Sequence, residues 1–107
     1  MENITWSPEE KKIARKIYDK AYQNEIEEIK SLLESKVQKI KSGKDIWDIN
    51  EFLTERRESI DKRYDYRYSR LVIVFGLLLS EKYLTENDLN GLSEEKKDMI
   101  KNVAKGF

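Results

Sequence analysis

Between Pro8 and Gly43 the chain carries neither glycine nor proline, so nothing interrupts a helix of roughly 35 residues, about 50 Å long at 1.5 Å per residue. Such a rod exceeds the width of a small domain. Along it Tyr22, Ile26, Ile29, Leu33, Val37 and Ile40 recur at spacings of four, three, four, four and three, close to the 3.5-residue repeat of a coiled-coil seam. The rest of one short chain cannot cover that whole seam, which predicts a homodimer. Ile13, Ile17 and Ala21 extend an apolar face toward the N-terminus, while Glu25, Glu27, Glu28, Lys30, Lys36, Lys39 and Lys41 are expected on the polar surface.

The flanks of this rod carry start and stop signals. In Trp6-Ser7-Pro8-Glu9-Glu10, Ser7 suits the N-cap, Pro8 the first helical position and Glu10 the third position of a capping box. Ser42-Gly43-Lys44 supplies the break, with Gly43 expected in the left-handed position after the helix and Asp45 capping the next one. In that second helix Ile46, Ile49, Phe52, Leu53 and Ile60 form an apolar stripe. Trp47, Asn50, Glu51, Thr54 and Arg57 line a neighbouring face.

Asp61 to Tyr66 contains no breaker, so a short turn and a continuous bent helix are both open there. If helical, Tyr64 and Tyr68 share a side and Tyr66 points elsewhere. Leu71 to Leu79 is an apolar run, and since no other segment reads as a pairing strand, it predicts a buried helix. The run is far short of the roughly 20 residues a membrane span needs. Thr85 with Asp88, and Ser93 before Glu94-Glu95, look like two further caps on either side of Asn90-Gly91. Leu84, Leu89, Leu92, Met99, Ile100 and Val103 can then cover the apolar helix. The predicted fold is all-α, with long helices over about 7–62 forming a dimer stalk and a helical head over about 64–107, one domain in all.

Function classes narrow quickly. With 107 residues, of which 39% are charged and 38% hydrophobic, the chain is a modest helical domain and not a disordered one. Lysine plus arginine equal aspartate plus glutamate at 21 each, which leaves no global field for a nucleic acid or an anionic membrane. Histidine and cysteine are absent, removing imidazole bases, thiol nucleophiles and the usual zinc and haem ligands. The glycines are isolated, so no phosphate-cradling loop exists. No enzyme, cofactor or metal site is expected. The polar start from Glu2 has no secretory pattern, which predicts a cytoplasmic protein.

Arg56, Arg57, Lys62, Arg63, Arg67 and Arg70 outnumber Glu58, Asp61 and Asp65 by three. Two uses are open: a docking patch for an acidic protein surface, or a solvated face tied by ion pairs four residues apart. Tryptophan and arginine dominate interface hot spots, so the Trp47, Asn50, Glu51, Thr54, Arg57 face is the candidate partner-binding surface.

The stretch from Asp45 to Phe75 resembles the fluorescence recovery protein family of cyanobacteria. Trp47, Phe52-Leu53, Arg57, Ile60-Asp61, Tyr64-Asp65, Arg67, Ser69 and Phe75 stand where that family has the same residues, as do Lys20-Ala21-Tyr22-Gln23 and Trp6-Ser7. The resemblance implies an all-helical dimer without a cofactor that binds the photoactivated orange carotenoid protein, speeds its return to the dark form and helps detach it from the phycobilisome. It implies that Arg57 is the arginine the family depends on, that Trp47 and Glu51 belong to the same surface, and that Ile46 lies in the dimer interface, to which the helical seam adds Ile26, Ile29, Leu33, Val37 and Ile40. Asn50 stands where cyanobacterial members carry histidine, and Ile73 where they carry a phenylalanine of the head's working surface. The alternative function is a helical dimeric adaptor whose partner is unrelated to photoprotection.

Overall fold

The computed structural model describes residues 4–106, so Glu2 and Asn3 of the polar start lie outside the described residues. The Ser7 signal works as the sequence predicts: Ser7 Oγ accepts from the Glu10 N–H at 3.1 Å, and Glu10 Oε1 accepts from the Ser7 N–H at 3.1 Å. The helix that follows, α1, runs Pro8–Gln38 and is capped at Lys39. A hairpin leads into α2, Gly43–Arg63, then α3, Leu71–Ser80, a 3-10 turn over Glu86–Leu89 and α4, Glu94–Lys105. The molecule measures 53 × 24 × 23 Å, as a helix of this length dictates. No strand is present among the described residues.

Gly43 does not take the left-handed position; it is the first residue of α2, whose N-cap is Ser42. Asp45 occupies the third position and its Oδ2 accepts from the Lys41 and Ser42 N–H groups at 2.9 and 3.2 Å. The hairpin therefore closes on a carboxylate collecting free N–H groups at a helix start. The positive φ angles lie elsewhere, at Lys82 (68°) and Gly91 (99°). Lys82 ends α3 in a Schellman arrangement, with its N–H bonded to the Leu79 carbonyl and the Tyr83 N–H to the Leu78 carbonyl.

α2 ends at Arg63, and Tyr64 takes an extended conformation (φ −89°, ψ 103°). The alternation Tyr64, Tyr66, Tyr68 then has strand periodicity, so all three rings reach the N-terminal part of the chain. Tyr18 on α1 meets Tyr64 and Tyr66 edge to face at 5.3 and 4.8 Å between centroids, and Trp6 stands 6.1 Å from Tyr68. Of the two possibilities open at Asp61 to Tyr66, the chain takes the break, just after Arg63, and Tyr66 packs with the other two. Aromatic packing on α1 terminates α2 without any glycine or proline.

The core sits at one end of the rod. Leu71, Val72, Val74, Phe75 and Leu78 of α3 are buried against Leu84, Leu89, Leu92 and Ile100, with Met99 and Val103 partly buried beside them. Trp6, Ala14, Ile17 and Ala21 close the same core from the N-terminal side. Alanine at 14 and 21 allows the close approach. Gly76 does the same for α3 and α4: a Cβ there would fall 2.3 Å from Val103 Cγ1. Glu10 is buried too, bonded to Lys96 Nζ and the Ser93 N–H at 3.0 Å each. Burial works to raise its pKa, but Lys96 and the two backbone donors outweigh it and hold the carboxyl below its ordinary value.

Candidate functional site

α2 has no buried residue along its whole length. A helix of 21 residues that stays partly wet on every side leaves much of its surface free to meet another molecule. Its outer face carries Trp47, 70% exposed, together with exposed Asn50, Glu51, Thr54 and Arg57. The five residues share one helix as expected, with Thr54 Oγ1 donating to the Asn50 carbonyl at 2.9 Å. Trp47 and Arg57 are separated by about 15 Å along the axis, at 1.5 Å per residue. Ile73 stands on another element, half-buried on α3.

On the inner side α1 and α2 leave an open groove of 320 Å³ lined by Tyr22, Ile26, Ile29, Leu53 and Ile60, with Arg56, Arg57 and Asp61 at its edges. Arg57 thus borders both surfaces. Toward the hairpin tip the same apolar line continues through Leu33, which is half-buried, and Val37, Ile40 and Ile46, which are exposed at 50, 36 and 51%. With Tyr22, Leu32, Leu53 and Trp47, seven large apolar side chains are left in water along the α1–α2 hairpin among the described residues, which marks a surface for association.

Arg56 and Arg57 are neighbours with opposite fates. Arg57 is exposed and takes no part in an ion pair among the described residues. Arg56 turns inward, its guanidinium reaching Glu28 at 3.3 Å, Glu25 at 3.4 Å and the Tyr83 hydroxyl at 3.1 Å. Arg63 also bonds Glu25, and the Tyr64 hydroxyl donates to Glu25 Oε1 at 3.1 Å. Glu25 is fully buried, so it belongs to the interior and not to the polar surface where the sequence reading put it. The signal was its spacing: Glu10, Ala14, Ile17, Ala21 and Glu25 form one buried stripe.

The arginine cluster therefore divides. Arg56 and Arg63 pair across to α1, not with residues four positions away, while Arg67 grips Asp65 at 2.6 Å. Burial works to lower the Arg63 pKa, but Glu25 outweighs it and holds the guanidinium above its ordinary value. Burial, then the Glu25 charge, push the Tyr64 hydroxyl well up. Burial and the nearby carboxylates push Tyr83 up to about 12. Arg63 Nη1 is buried without a hydrogen-bond partner, so the network is not optimal for stability alone.

No cluster of metal-ligating side chains occurs among the described residues. Among them no helix is long and apolar enough to cross a membrane. The family described as photoprotection regulator fluorescence recovery protein matches residues 6–104. The fluorescence recovery protein of Synechocystis sp. PCC 6803 is 32% identical over 100 residues, covering 94% of this chain and 92% of that protein. Its solved structure has a TM-score of 0.89 at 32% identity, over 94% of this chain and 99% of that one. The fluorescence recovery protein of Fremyella diplosiphon superposes equally well, with a TM-score of 0.89 at 34% identity and the same coverage.

Proposed function

We propose that this chain, which belongs to the fluorescence recovery protein family of photoprotection regulators, acts without catalysis as a homodimer that binds the orange carotenoid protein and returns its photoactivated form to the resting one. The observation that carries this reading is the exposed Trp47 and unpaired Arg57 on a helix lying within the matched residues. A regulator of this kind works by differential affinity. Holding one arrangement of its partner better than another shifts the population by that difference in binding free energy, and nothing more is required of its chemistry.

The groove of Ile26, Ile29, Leu53 and Ile60, with the exposed Val37, Ile40 and Ile46 beyond it, supports pairing of two protomers along the α1–α2 hairpins. In that arrangement the outer faces of both α2 helices remain open to the partner. Dark recovery of photoactivated orange carotenoid protein, followed by absorbance with and without the chain, tests the proposal. Acceleration that Arg57→Leu abolishes supports it. No acceleration by the wild-type chain rules out this partner and leaves the adaptor reading, and equal acceleration by Arg57→Leu rules out the site.

A further inference from the structure

α2 has no fully buried residue, and its apolar contact is limited to partly buried Ile49, Phe52 and Ile60. The fully buried group that α2 meets is a carboxylate on α1. Arg56 and Arg63 lie two helical turns apart on one face, and both point at the single carboxylate of Glu25. Ser59, one turn before Arg63, accepts from Arg63 Nε at 3.2 Å and aims its guanidinium along that face. The Tyr64 hydroxyl donates to Glu25, the Tyr83 hydroxyl accepts from Arg56, and the Tyr83 carbonyl accepts from Asn24 Nδ2 of α1 at 2.9 Å. One buried carboxylate therefore joins α1 to α2 and the segment after it, and through Arg56 reaches Tyr83 beyond α3.

We propose that Glu25 is the positioning residue for the partner-binding face: by fixing Arg56 and Arg63 it sets the rotation of α2, and so the direction in which Arg57 and Trp47 point. The inference rests on the proposed role of that face. The geometry is direct. Arg57 follows Arg56 by one residue, or about 100° around the helix, so with Arg56 turned inward Arg57 has a single bearing. Charge suits this task better than apolar contact. Apolar contacts tolerate sliding, whereas a guanidinium pair converging on one carboxylate has few geometries that satisfy its donors. Arg63 Nη1, buried without a partner, fits a network kept for direction more than for stability.

Glu25→Gln keeps the shape and removes the charge that both arginines need. The chain has no native cysteine, so spin labels at Glu27→Cys and Glu58→Cys, diluted with unlabelled protein, report the α1–α2 geometry alone. With Glu25→Gln the label distances should shift or broaden while helix content and dimer mass stay as in the wild type. Binding to photoactivated orange carotenoid protein should weaken at least tenfold, and adding Arg57→Leu to Glu25→Gln should then cost much less than it does in the wild type. Fully additive losses, or unchanged label distances, overturn the proposal. Shifted distances with undiminished binding also overturn it. If the wild-type chain does not bind this partner, the proposed function fails separately, and the label distances still decide whether Glu25 sets α2. Should Glu25→Gln fail to fold, Arg63→Gln leaves the Arg56–Glu25 pair in place and carries the same two measurements.

Discussion

Arg56→Leu and Arg57→Leu change adjacent residues in the same way and should give opposite results. Arg56 is 21% exposed at its side chain and pairs with fully buried Glu25 and with Glu28. Removing one partner of a buried ion pair costs about 3–5 kcal/mol. Arg63 stays on Glu25, and Glu28 is half exposed, so the loss here should be about 2–3 kcal/mol. At roughly 4–8 °C per kcal/mol for a domain of this size, the melting temperature should fall by about 10–20 °C. Arg57 is exposed and unpaired within the protomer, so Arg57→Leu should stay within about 0.5 kcal/mol of wild type. Its effect should appear in binding, where a hot-spot loss of about 2 kcal/mol is roughly thirtyfold in dissociation constant. Thermal melts by circular dichroism at one fixed dimer concentration, paired with a binding titration of both variants, separate the two. Equal melting temperatures would refute the inward and outward assignment, as would a strongly destabilised Arg57→Leu.

The Glu10 carboxyl is held below its ordinary value in the folded chain. Its contribution to stability is therefore complete above the unfolded value of about 4.3 and is lost as pH falls through the folded one. Glu10→Gln should flatten the acid limb of a stability-against-pH curve measured by urea unfolding. Lys82 holds a left-handed conformation at φ 68° that costs a side chain about 1–2 kcal/mol, so Lys82→Gly should raise stability by roughly 0.5–1 kcal/mol after the extra entropy of the unfolded chain is counted. A lower melting temperature for this variant would contradict the Schellman assignment. Ile46 is 51% exposed in the protomer, so Ile46→Glu should leave the helix content intact and shift the mass measured by light scattering toward the monomer. An unchanged dimer mass would move the interface elsewhere.

Most of the architecture could be read from local chemistry. The Ser7–Glu10 box, the Ser93 cap and the apolar run of α3 each act within a few residues, where pattern and propensity speak directly. Two features did not follow from pattern, one for a local reason and one because its cause is distant in sequence. A glycine between two helices suggests a left-handed turn, yet Asp45 organises the hairpin and Gly43 simply begins α2. The end of α2 carries no breaker, and what stops it is the docking of Tyr64 and Tyr66 on Tyr18, 46 and 48 positions earlier in the chain. The period-two spacing of the tyrosines was visible, but only a surface for them to pack on makes that period win over the helical one.

The site divides along the same line. The outer face of α2 was legible because exposed residues keep the spacing of their own helix, as Trp47, Asn50, Glu51, Thr54 and Arg57 do. What aims that face was not legible, since α1 carries two stripes about a hundred degrees apart and the inward one ends in a carboxylate. Tyr22, Ile26, Ile29 and Leu33 form the one that looks outward, and it dominates because its residues are large and apolar. Glu10, Ala14, Ile17, Ala21 and Glu25 form the one that looks inward, disguised by two small residues and two carboxylates. A carboxylate can close a buried stripe only where cations meet it, and the arginines at 56 and 63 are those cations. The excess of positive charge around them is therefore smaller at the surface than the sequence suggests. Arg57, Lys62, Arg67 and Arg70 remain outward, and of these Arg57 shares with the exposed Trp47 a face of α2 whose direction a buried acid determines.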